Sequence, residues 1–135
     1  MNPQALSALI GRILLALMFL GAGISKFGGL EGTAGYIASA GLPLPKLLAI
    51  ATATLEVVAA LMLIIGWQAR WAALALAAFT LLATLLFHNY WAMPAEQQFT
   101  QQLMFMKNMA IVGGLLVLFA FGPGALSLDK RGKAD

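Results

Sequence analysis

Long apolar runs alternate along the chain with short polar breaks, and four of the runs are long enough to matter. A helix needs about 20 mostly apolar residues to cross roughly 30 Å of hydrocarbon. Residues 6–27, 46–66, 71–91 and 102–121 each meet that length. The breaks carry turn chemistry. Gly28-Gly29 opens the first loop, and Pro43 and Pro45 close it. Gly66 to Arg70 makes a tight turn, Pro94 and a run of glutamines form the third break, and Gly122-Pro123-Gly124 ends the fourth run. The pattern predicts an all-α chain, one domain over 1–135, in which four transmembrane helices pack antiparallel to their neighbours as a small bundle. Residues 28–45 and 92–101 are then loops on one side. The first run reads as a retained span rather than a leader. It is too long, it holds Arg12 well inside, and no A-x-A site follows near Lys26.

Composition agrees. The chain is 61% hydrophobic and 10% charged, against roughly 45–50% and 25% in soluble domains. That excludes a soluble globular domain and a disordered one. The lack of cysteine excludes disulfides, thiolate metal sites and covalent haem attachment. The net charge is +3, but three of the eight cations (Lys130, Arg131, Lys133) fall in the last six residues. A cationic end on an apolar body orients a membrane protein, so a lipid bilayer is the expected partner and nucleic acid is not. Arg12, Arg70, Lys130, Arg131 and Lys133 gather on one side, and Lys26, Lys46 and Lys107 on the other. Both termini are therefore expected in the cytoplasm.

The informative residues are charges inside the spans, where an ionised side chain costs about 2.5–3.5 kcal/mol on insertion scales. Helical spacing aligns Arg12, Ala16, Phe19, Gly23 and Lys26 on the first span, and Thr52, Glu56, Ala59 and Ala60 on the second. It aligns Thr80, Thr84 and His88 on the third, and Lys107, Ala110 and Gly114 on the fourth. Each stripe mixes polar with small residues, as expected of faces turned inward. Arg12 and Glu56 fall at depths of roughly 10 and 15 Å, which predicts a structural ion pair between them. Lys26, Glu56, His88, Lys107 and its neighbour Asn108 form a candidate ligand-binding cluster on four helices. Such a cluster suits a quinone head group or small anion, or a proton relay. A lone His and scattered Met residues make no metal site. No dinucleotide, P-loop, nucleophile-elbow or zinc-protease motif occurs.

The segment from Arg12 through Phe19, Gly21 and Gly23 to Lys26-Phe27 resembles the first-helix signature of the DoxX family. The likeness continues through Gly41-Leu42-Pro43, Glu56, Gly66, Arg70 and Phe87-His88-Asn89-Tyr90-Trp91. It runs on through Lys107-Asn108, Gly113-Gly114, Gly122-Pro123-Gly124 and Ser127-Leu128-Asp129, most closely in the manner of YphA-like inner-membrane proteins. The resemblance implies four transmembrane helices in a bacterial inner membrane and a link to redox or quinone metabolism. With no intrinsic cofactor motif, the chain is expected to act as a quinone-binding or partner subunit beside a redox partner protein. A non-catalytic scaffold, a small-solute or proton pathway, and a homo-oligomer remain open.

Overall fold

The computed structural model describes residues 2–131. Its elements are α1 (Pro3–Gly28), α2 (Leu30–Ser39), α3 (Pro45–Ile65), α4 (Ala69–Phe87), a 3₁₀ turn (Tyr90–Ala92), α5 (Ala95–Phe121) and α6 (Leu128–Arg131). Four helices are long and apolar enough to cross a membrane, as the hydropathy pattern predicts. Local chemistry sets their ends. The Asn2 side chain caps α1 by accepting from the Gln4 N–H at 2.9 Å, and Pro3 follows where its missing N–H costs nothing. Gly66 ends α3 at φ 73°, the left-handed conformation that favours glycine.

Helix α1 packs on α3, α3 on α4 and α4 on α5, while α2 lies across α3. The core is built from Ala16, Phe19, Ala60, Leu63, Ala73 and Leu76, joined by Leu115 of α5. Small residues bring the backbones close, which is how helices associate where no water drives them together. At Gly23 an added Cβ would lie 2.7 Å from Val57 Cγ2 and 3.0 Å from the Ala53 carbonyl oxygen, so only glycine fits the α1–α3 contact.

Several expectations require correction. The break at 28–45 is not all loop, because it contains α2, seated by buried Ile37. The polar stretch after Pro94 is helical from Ala95. Its alanine, glutamate and glutamines are good helix formers, and polarity there marks the part of α5 outside the apolar run. The third span covers Ala69–Ala92 as expected, but its α-helix stops at Phe87 and a 3₁₀ turn, Tyr90–Ala92, carries it to its end. The inward stripe of the fourth span is displaced by one residue. Lys107 and Ala110 are exposed, and Leu115 and Leu118 are the buried positions. One residue on a helix is a rotation of about 100°.

The expected Arg12–Glu56 ion pair does not form. Buried Arg12 donates instead to the carbonyl oxygens of Pro123, of Leu126 at 2.9 Å and of Ile64 at 3.2 Å. Two physical reasons account for this. A helical side chain leans toward its helix's N-terminus, which points Arg12 away from Glu56. In addition, Glu56 lies level with Gly23, eleven residues and about 16 Å of helix from Arg12. The segment after α5 folds back along α1, with Gly124 against Ala8 and Ser127 against Gly66. Its carbonyls are what Arg12 meets. Asp129 completes this closure by accepting from the Gln68 and Ala69 N–H groups at 2.7 and 2.9 Å, which caps α4. Lys133, counted above among the terminal cations, lies outside the described residues.

A candidate head-group site at the end opposite the termini

Glu56 is 2% exposed and lies midway along α3. Its partner is Lys26, whose ammonium donates to Oε1 in the one salt bridge among the described residues. The same lean that directs Arg12 elsewhere brings this pair together. α1 and α3 are antiparallel, so Lys26 leans from the helix end toward mid-membrane while Glu56 leans outward to meet it. Lys26 also lies 5.7 Å from the centre of the Phe79 ring, where the aromatic face favours a cation.

Beside the pair is a cavity of about 190 Å³ lined by residues that include Lys26, Thr33, Tyr36, Thr52, Phe87 and His88. Ligand pockets for drug-sized molecules run to about 300–1,000 Å³, so this space suits only a small group. Four elements converge on it: the end of α1, the face of α2, the start of α3 and the end of α4. Tyr36 stacks on Phe87 with ring centres 4.7 Å apart and makes one wall aromatic. The Thr33 and Thr52 hydroxyls donate to carbonyls of their own helices, Gly29 at 3.2 Å and Leu48 at 2.8 Å. They therefore offer lone pairs to the cavity. Lys26 uses one of its hydrogens on Glu56 and keeps others. His88 caps α4, and its Nδ1 lies 2.7 Å from the Gln101 side-chain oxygen of α5. An amide oxygen only accepts, so Nδ1 is the donor in this bond, and in a neutral ring Nε2 is then an acceptor.

Of the candidate residues, the structure thus brings together Lys26, Glu56 and His88. Asn108 stands apart, tying α5 to α4 by donating to Thr84 Oγ1 at 3.0 Å. Lys107 is exposed and reaches only Met104 Sδ at 3.7 Å. The residues that sequence reasoning passed over are Thr33 and Tyr36, because the stretch holding them reads as loop. The signal available was the i, i+3, i+4 spacing of Thr33, Tyr36 and Ile37, one face of a helix. Among the described residues, no group of three or more His, Cys, Asp or Glu side chains could hold a metal ion.

Comparison with known proteins adds to this picture. The sequence model of the DoxX family matches residues 7–89, which contain every cavity residue named above. The inner membrane protein YphA of Escherichia coli is 39% identical over 123 residues, covering 91% of this chain and 88% of that protein. The inner membrane protein YqjF of the same organism is 38% identical over 130 residues, covering 94% and 92%. A Surfeit locus protein 4 homolog of Schizosaccharomyces pombe is 30% identical over 134 residues, which is 98% of this chain and 39% of that longer protein. No solved structure matches the chain.

Proposed function

The chain belongs to the DoxX family of multi-pass inner-membrane proteins, and from that premise we propose that it is a binding subunit for a quinone head group. The head group lies in the cavity beneath α2, and an associated oxidoreductase supplies the electron carrier. One observation carries this reading: a small, partly aromatic cavity on which Lys26, Tyr36 and His88 converge from three elements. A quinone ring needs an apolar, stacking surface and hydrogen-bond donors at its two carbonyls. Tyr36 and Phe87 supply the surface, and the Lys26 ammonium and the Tyr36 hydroxyl supply donors. A quinol needs an acceptor for its hydroxyl, and His88 Nε2 supplies one. With no cysteine and one histidine, the chain carries no ligand set for an iron–sulfur cluster or a bis-histidine haem.

Titrating the purified protein with a short-chain fluorescent quinone analogue tests the proposal. Saturable binding is expected, weakened about tenfold by either Tyr36→Leu or His88→Leu, as loss of a hydrogen bond and its packing implies. Lys107→Met leaves the affinity unchanged. Wild-type protein without saturable binding overturns the reading. That result favours the scaffold alternative, which draws on the use of Arg12, Glu56 and Asp129 to close the bundle.

A further inference from the structure

The end of the bundle that carries the termini holds a second cavity, of about 270 Å³, unrelated to the site beneath α2. Arg70, Trp71, Lys130 and Asp129 line it with Gln68 and Gly122. The Asp129 carboxylate uses both oxygens on backbone N–H groups at the start of α4, so its charge is met by the helix end. Arg70 and Lys130 form no hydrogen bond or ion pair among the described residues. The Arg70 guanidinium lies against Gly122, where an added Cβ would stand 3.2 Å from its Nε. Two cations thus face one cavity at the edge of the membrane with no anion of their own.

Trp71 also lines a third, apolar hollow of about 450 Å³. This groove runs between α3 and α4 past Met62, Ala72, Ala75, Val58 and Ala51. From Met62 to Ala51 is eleven residues, about 16 Å along the helix toward mid-membrane. Both cavities are lined by Trp71, which is 64% exposed. A charged pocket at the interface that shares Trp71 with an apolar groove running inward has the shape and polarity of one kind of molecule.

We infer that this surface is a binding site for an anionic glycerophospholipid. Its phosphate lies between Arg70 and Lys130, and one acyl chain lies in the α3–α4 groove beneath Trp71. Basic pockets beside transmembrane helices recognise acidic head groups in this way. The paired groove is what distinguishes lipid from free phosphate, which has nothing to place there.

Tryptophan quenching tests the assignment. The chain has three tryptophans, so the Trp67→Phe/Trp91→Phe variant leaves Trp71 as the only reporter. This full-length variant is placed in phosphatidylcholine nanodiscs, and brominated phosphatidylglycerol or brominated phosphatidylcholine is added in turn. The phosphatidylglycerol is expected to quench with about fivefold higher apparent affinity, reflecting one net positive charge at the pocket. Arg70→Gln with Lys130→Gln removes the preference. Lys130→Gln alone, at an exposed position beyond the spans, lowers it without risk to the fold. Equal quenching by the two lipids overturns the site, as does a preference that survives the double substitution. Reversal by excess inorganic phosphate at matched ionic strength overturns the lipid assignment. Weak quenching by both lipids in a sample that runs as a dimer also overturns it, because a second copy then covers the groove.

Discussion

Removing the Lys26 ammonium leaves the Glu56 carboxylate buried in a membrane span with nothing to balance it. Breaking a buried pair from one side costs about 3–5 kcal/mol in soluble proteins, while replacing both partners with apolar residues is often neutral. Lys26→Met is therefore expected to lower stability in detergent by that order, and Lys26→Met with Glu56→Leu to recover most of it. Unfolding monitored by circular dichroism checks this. Arg12→Met gains nothing from any change at Glu56, since the two do not touch. Asp129→Ala removes the cap of α4 and is expected to cost about 0.5–2 kcal/mol in the same assay. The buried stripe Arg12, Ala16, Phe19 and Gly23 was legible in the sequence because helical spacing alone defines it. Which charge meets which was not. That depends on side-chain lean and on how far one helix is offset along another, and neither leaves a mark in a hydropathy pattern.

Helix α5 tests the account at the level of an element. It turns Asn108, Ile111, Leu115 and Leu118 toward the bundle and leaves Lys107 exposed. Asn108→Ala is expected to cost about 1 kcal/mol through its bond to Thr84, whereas Lys107→Met changes stability by less than about 0.5 kcal/mol. The opposite ranking would restore the rotation that the polar stripe suggested. The four spans were legible because each is a continuous apolar run. Helix α2 and the first turns of α5 were not. They lie where water or head groups satisfy a helix's polar face, so their composition resembles that of loops.

For the whole molecule, two ends with different chemistry follow from one fold. The end bearing the termini is drawn closed by Arg12 and Asp129 beside a cationic pocket, and the opposite end holds the cavity beneath α2. The cation count predicts that the closed end faces the cytoplasm. A C-terminal fluorescent-protein fusion should glow while a C-terminal alkaline phosphatase fusion stays inactive. The reverse pattern overturns that orientation. The central claim, however, is that the cavity beneath α2 receives a quinone head group. The most direct measurement is photolabelling of the full-length protein in native lipid with an azido-quinone, followed by peptide mass spectrometry. The account predicts adducts on the peptides containing Tyr36 and Phe87-His88, suppressed by excess unlabelled quinone. Adducts confined to the α3–α4 groove, or labelling that excess quinone does not suppress, would contradict it.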